Sequence, residues 1–122
     1  MNVLLLEDDP DAREALAALL SLDAHTVAQA DDVASFLLAT RDLQTQAVIF
    51  DLHLACEATG LKLALDYQAR RQAAGLGPAR LIALSGHADA RHVIAGSGAA
   101  ATVDYCFVKP ADPTDILAAL GG

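Results

Sequence analysis

Aromatic side chains are scarce in this chain, 4% of its 122 residues, and tryptophan is absent. A core with few large rings must be built from Ala, Leu and Val, and the 54% hydrophobic content supplies them. That content excludes an intrinsically disordered composition. The length is that of one domain, residues 1–122, able to bury an apolar core without staples. Basic residues are also few: 8 Lys and Arg stand against 16 Asp and Glu, a formal net charge of −8. Such a surface repels nucleic-acid phosphates and anionic membranes, so direct nucleic-acid binding is not expected, and a cationic metal or a basic partner patch is favoured. Long hydrophobic runs are missing too. No stretch approaches the roughly 18 apolar residues of a membrane span, and the start MNVLLLEDD lacks the positive region of a secretion signal. The only cysteines, Cys56 and Cys106, form no CxxC motif and read as free thiols in a reducing cytoplasm.

What is present is a series of short apolar runs, each ending in polar residues. Val3 to Leu6 reads as a buried strand that stops at Glu7, Asp8 and Asp9. Pro10 suits the first turn of a helix with Asp9 as N-cap, and Ala15, Leu16, Leu19, Leu20 and Leu22 follow at helical spacing. His25 to Ala28 predicts a weaker strand. Asp31 and Asp32 start a helix over Val33 to Thr40, with Val33, Phe36, Leu37 and Leu38 as its apolar face. Ala47 to Phe50 is the clearest strand, apolar on both faces, and it ends at Asp51. Gly60 leads a helix carrying Leu61, Leu63, Leu65 and Tyr67, broken by Gly75 to Pro78. Leu81 to Leu84 is another two-sided strand, ending at Ser85. A short helix near Asp89 to Ala95, a strand from Val103 to Val108 ending at Lys109-Pro110, and a helix from Pro113 to Leu120 complete the chain. Strands alternating with helices, several of them unbroken apolar runs, predict an α/β architecture: a five-stranded parallel sheet, doubly wound into three layers by right-handed crossovers.

In such a sheet ligands bind in the crevice at the carboxyl ends of the strands. Glu7, Asp8, Asp51, Ser85 and Lys109 all fall at predicted strand ends, so residues distant in sequence converge. Clustered carboxylates repel one another and are costly to desolvate unless something compensates. A hard divalent cation with oxygen ligands is the natural solution, and Mg2+ favours one or two carboxylates, waters and phosphate oxygens. A lysine opposite the acids suits a phosphoryl oxygen, and a serine hydroxyl can donate to another. Together these are the parts needed to transfer a phosphoryl group to a carboxylate nucleophile.

The segments LLLEDDP (Leu4 to Pro10), VIFDL (Val48 to Leu52), ALSGHAD (Ala83 to Asp89) and FVKP (Phe107 to Pro110) resemble, in order and spacing, the receiver domain of bacterial response regulators. The resemblance covers nearly the whole chain and implies a flavodoxin-like (βα)5 fold with strand order 2-1-3-4-5. It implies that Asp51 accepts a phosphoryl group from a phosphohistidine on a sensor histidine kinase or histidine phosphotransfer protein. Asp8 then binds Mg2+ directly, Glu7 helps through water, and the main-chain carbonyl of His53 supplies another ligand. Ser85 hydrogen-bonds the phosphoryl group, and Lys109, ahead of a cis proline, pairs with a phosphoryl oxygen. No cofactor other than Mg2+ is implied. A homodimer through the fourth helix, fifth strand and fifth helix is the expected mode of self-association. The segment KPADP (Lys109 to Pro113) resembles receivers at the C-terminus of hybrid sensor histidine kinases.

The chain departs from that family in three places. A proline and a glycine usual after the phosphoacceptor are here Ala55 and Thr59, with Gly60 following, and the loop 54–59 reads as slightly long. The stretch between Ser85 and Lys109 reads as extended through Gly96 to Thr102. The position of the usual aromatic switch residue is Cys106, with Tyr105 beside it, so either a bulge brings Tyr105 into register or the switch is altered. His53 and His87 stand where the hydrolytic water of such domains passes, or else are solvated loop residues. Arg70 and Arg71 read as a solvated helix face.

Two other classes of function compete. A receiver fold that signals by contact alone, without phosphorylation, is disfavoured by the complete set Asp8, Asp51, Ser85 and Lys109. An aspartate-nucleophile phosphatase wants a second aspartate as general acid where His53 stands, and flavin binding would place a phosphate against Glu7, Asp8 and Asp9. The expectation is a cytoplasmic phosphorelay domain that modifies itself and is not an enzyme acting on separate substrates.

Overall fold

The computed structural model describes residues 1–52, 59–86, 102–109 and 111–121. Its elements in chain order are β1 (Asn2–Leu6), α1 (Pro10–Ser21), β2 (Thr26–Ala30), α2 (Val33–Ala39), β3 (Ala47–Asp51), α3 (Thr59–Ala73), β4 (Arg80–Ser85), β5 (Tyr105–Val108) and α4 (Pro113–Gly121). The predicted helix over 89–95, the loop 53–58 with His53 and Cys56, and His87 and His92 lie outside the described residues.

The strands form one parallel sheet in the order β2-β1-β3-β4-β5, the order implied for the fold. Successive residues along the central strands point to opposite faces. Val3, Leu5, Ala47, Ile49, Ile82 and Leu84 pack with Leu20 of α1 and Ile116 and Leu120 of α4. Leu4, Leu6, Val48, Phe50, Leu81 and Ala83 pack with Phe36 of α2 and Leu61, Ala64 and Tyr67 of α3. Helices on both faces explain why these strands read as unbroken apolar runs.

Local chemistry sets the helix ends. The Asp9 side chain accepts from the Asp11 N–H at 3.1 Å, and Pro10 occupies the first helical position. Asp32 and Ser35 form a capping box around the start of α2. α3 closes with Gly75 at φ +76, a left-handed backbone that glycine adopts without cost.

Three expectations are corrected. On α2 only Phe36 is buried, while Val33, Leu37 and Leu38 are exposed; a two-turn helix against an edge strand buries a narrow stripe. Leu19 on the solvent side of α1 and Leu22 at its C-cap are exposed as well. Arg70 and Arg71 are not a solvated face. Arg70 lies over the Tyr67 ring at 5.3 Å and donates to Thr40 Oγ1 at 3.1 Å. Arg71 donates to the carbonyls of Leu43 (2.6 Å) and Gly77 (2.9 Å), tying α3 to the chain that leads into β3. Finally, β5 starts at Tyr105 rather than Val103. The Asp104 carboxylate accepts the Leu81 N–H at 2.8 Å, taking the place of a ladder carbonyl.

Candidate functional site

The parallel register brings the carboxyl ends of four strands to one edge. Leu6 pairs with Phe50, Asp51 with Leu84, and Ser85 with Val108, so the residues at or just past these positions become neighbours. Asp51 is the last residue of β3 and is 8% exposed; Glu7, directly after β1, is 3% exposed, and Ser85 is fully buried. Asp8 is exposed. The backbone N–H of Lys109 donates to the Ser85 carbonyl at 2.7 Å, which seats Lys109 beside the end of β4.

The Lys109 ammonium hydrogen-bonds Glu7 Oε2 and stands 3.3 Å from Asp51 Oδ2. The other Glu7 oxygen, Oε1, accepts from the Asp9 N–H at 3.2 Å. The Glu7 main chain is held as well: its N–H donates to the Ala30 carbonyl at 3.0 Å, and its carbonyl accepts from Arg13 Nη1 at 2.9 Å. Burial pushes the Glu7 carboxyl above its ordinary value, against the lowering effect of the Lys109 and Asp9 hydrogen bonds, and the charge of Asp51 adds to the rise. Burial alone would depress Lys109, but its Glu7 hydrogen bond and the nearby Asp51 charge outweigh that and raise it. The two directions are consistent: the ammonium stays charged between two carboxylates, and burial works against ionisation of Glu7.

One carboxylate oxygen each from Glu7, Asp8 and Asp51 lies within 4.8 Å of the others. Three acids around one ammonium leave two negative charges uncompensated when all are ionised, and the donors are all hard oxygens. That set fits a hard divalent cation. Both Glu7 oxygens are engaged by hydrogen-bond donors, and one Asp51 oxygen faces the Lys109 ammonium.

Beneath Asp51, α3 approaches so closely that a Cβ on Gly60 would collide with the Asp51 carbonyl oxygen and sit 3.0 Å from its carbonyl carbon. The sequence marks Gly60 as a helix start; its contact with β3 is visible only in three dimensions. Arg13 also goes unremarked in the sequence, although it is the only cation between Asp8 and Asp23. Of the other expected site features, the His53 carbonyl and Pro110, the proline after Lys109, fall outside the described residues. The β4–β5 ladder runs in unbroken register from Ile82↔Tyr105 to Ser85↔Val108. Cys106 packs toward the α2/α3 layer, whereas Tyr105 stacks on Phe107 with ring centroids 6.1 Å apart. No bulge brings Tyr105 into the place of Cys106.

The family model of the response regulator receiver domain matches residues 3–121. The chain belongs to this family. The receiver is similar to a response regulator protein from Burkholderia pseudomallei, solved with a phosphorylated aspartic acid and a calcium ion, at 28% identity and TM-score 0.77. That likeness covers 98% of the receiver but 65% of the Burkholderia chain, so the receiver spans just under two thirds of that protein. A receiver domain from Methylobacillus flagellatus is 23% identical, with TM-score 0.78 and coverage of 99% and 96% of the two chains. A response regulator from Thermotoga maritima, in complex with Mg2+ and BeF, is 18% identical, with TM-score 0.77 and coverage of 98% and 96%. These last two likenesses speak to fold alone. No curated protein matches the receiver.

Proposed function

We propose that this receiver takes a phosphoryl group from a phosphohistidine onto Asp51, and that it modifies itself without turning over separate substrates. The observation that carries the reading is the convergence at one sheet edge of a buried carboxylate, Asp51, an ammonium 3.3 Å from it, and two further acids. An Asp51 oxygen attacks phosphorus, the phosphorus–nitrogen bond to the donor imidazole breaks, and the ring nitrogen keeps the electron pair. Lys109, freed from Asp51 as its carboxylate charge moves to the phosphoryl group, stabilises the new oxygens where charge develops. Ser85 supplies a hydroxyl on the neighbouring strand. Glu7, Asp8 and Asp51, with the His53 carbonyl, would hold Mg2+, which supplies charge neutralisation of the transferred group.

The donor is read as a histidine kinase or histidine phosphotransfer protein, and the acidic surface favours a basic contact patch on it. A cytoplasmic setting and a place at the C-terminus of a hybrid kinase belong to the same reading; no helix among the described residues is long and apolar enough to cross a membrane. With Cys106 in the switch position, the conformational response to phosphorylation would run without an aromatic ring there. The test is incubation with a small phosphodonor and Mg2+, followed by intact mass. The wild-type receiver is expected to gain one phosphoryl group and Asp51→Asn none. No gain by the wild type, or retained labelling of the variant, would overturn the reading.

A further inference from the structure

We infer that Arg13 is a positioning residue for the acidic loop, setting the direction in which Asp8 leaves β1. The inference rests on the reading that Asp8 and Asp51 take a divalent cation, and it concerns how this chain presents Asp8. Asp8 is exposed and is not locked by packing, so its direction depends on its backbone.

The backbone on its N-terminal side is held at every polar atom of Glu7. Its N–H is bonded to Ala30, its two carboxylate oxygens to the Asp9 N–H and the Lys109 ammonium, and its carbonyl to Arg13 Nη1 at 2.9 Å. The last contact is the one that governs Asp8. The Glu7 carbonyl oxygen and the Asp8 nitrogen and Cα lie in one rigid peptide plane, so holding that oxygen orients the plane and leaves only the Asp8 φ to vary before the side chain.

The clamp is itself braced. Arg13 Nε donates to Gln29 Oε1 on β2 at 3.2 Å, so one planar guanidinium, carried on the first turns of α1, is tied to the end of β1 and to the edge strand. A fixed fork of donors is what arginine offers and lysine lacks. Partners that orient a metal ligand characteristically change metal affinity by about ten- to a hundredfold when removed.

Positioning and simple electrostatics predict opposite signs. Deleting a cation beside a carboxylate cluster should strengthen binding of a second cation if charge alone matters, because a repulsion is removed. Deleting a clamp should weaken it. The experiment is Mg2+ titration by calorimetry on the full chain, with metal-free melting temperatures measured alongside. Arg13→Ala is expected to bind Mg2+ about tenfold more weakly. Arg13→Lys, which keeps the charge but not the fork, should fall between that variant and wild type. Gln29→Ala, which removes only the brace, should lose roughly threefold, the size of one exposed hydrogen bond. At saturating Mg2+ the phosphorylation levels of the variants should converge on wild type.

Unchanged or tighter Mg2+ binding by folded Arg13→Ala overturns the inference. If Arg13→Ala does not fold, unchanged affinity in both Arg13→Lys and Gln29→Ala overturns it instead. Failure of the wild type to bind Mg2+ overturns the metal reading, and this inference with it. Wild-type binding with unaltered variants overturns the inference alone.

Discussion

Lys109→Met removes the ammonium between two buried carboxylates while keeping most of the aliphatic stem. In the wild type that ammonium bonds Glu7 and lies 3.3 Å from Asp51. Without it, Glu7 and Asp51, 3% and 8% exposed, face each other with oxygens no more than 4.8 Å apart. At an effective dielectric of about 20 their repulsion is at least about 3.5 kcal/mol, in line with the roughly 3–5 kcal/mol typical of removing one partner from a buried ion pair. The Lys109 side chain is 29% exposed, so water already screens part of the interaction. A net loss of about 2–3 kcal/mol follows. For a chain of 122 residues about 1 kcal/mol corresponds to about 4 °C, so the melting temperature should fall by about 8–12 °C in metal-free buffer at neutral pH. Two companion measurements isolate the cause. The double variant Glu7→Gln/Lys109→Met should recover at least half the loss, because one of the opposed charges is gone. Mg2+ should raise the melting temperature of Lys109→Met more than that of wild type, because it restores positive charge to the cluster. A single variant that melts within about 2 °C of wild type, or a double variant no better than the single one, would refute this electrostatic account.

Gly60→Ala should lower stability by about 1–3 kcal/mol, the usual cost of forcing an extra methyl into a filled space, because its Cβ meets the Asp51 carbonyl. It should also slow phosphorylation by displacing the acceptor, read by the rate of mass gain with a small phosphodonor. Tyr67→Phe deletes the fully buried hydroxyl that donates to the Thr45 carbonyl at 2.6 Å. Urea unfolding should show a loss of about 1 kcal/mol with phosphorylation unchanged, since the contact lies at the opposite edge of the sheet. The Asp32 carboxyl is held below its ordinary value by the Ser35 N–H and hydroxyl. The stability it contributes is therefore present above the unfolded-state value and lost as pH falls through the folded one. Asp32→Ala should melt lower than wild type at neutral pH, and the gap should close in acid as Asp32 protonates.

The sheet, and the convergence of Glu7, Asp51 and Lys109 at its edge, were legible because two simple patterns coincide in this chain. Strands buried on both faces are unbroken apolar runs, and the residues that end them, Glu7, Asp51, Ser85 and Lys109, are polar where the fold places ligands. The supporting residues carry no such pattern. Arg13 looks like any exposed helix cation until the turn of α1 brings it back over the Glu7 carbonyl. Arg70 and Arg71 read as solvated because charge suggests exposure, yet their stems and guanidinium groups cover Tyr67 and cap loop carbonyls. The leucines of the first two helices show helical periodicity, but periodicity does not reveal how wide a stripe a neighbour will cover, and there the sequence overstates burial. Asp104 shortens the last strand by supplying with its side chain what a ladder carbonyl would have supplied, a substitution no alternation pattern records.

The same contrast bears on how the pocket works. A site that merely stored charge would balance it, but with all three acids ionised this one carries two negative charges in excess of its single ammonium, and burial pushes its most buried acid, Glu7, toward protonation. Glu7 is held at its backbone and at both carboxylate oxygens, which resists its relaxing away from Asp51. Rigidity of this kind turns stored repulsion into affinity for incoming positive charge. A phosphoryl group added to Asp51 as proposed would bring negative charge that competes for Lys109 with its present partners, Glu7 and Asp51. On the proposed reading, movement of that ammonium relative to Glu7 is the expected first structural consequence of phosphorylation. Cys106, on β5 three residues before Lys109 and facing the α2/α3 layer, lies where such a movement would next be felt.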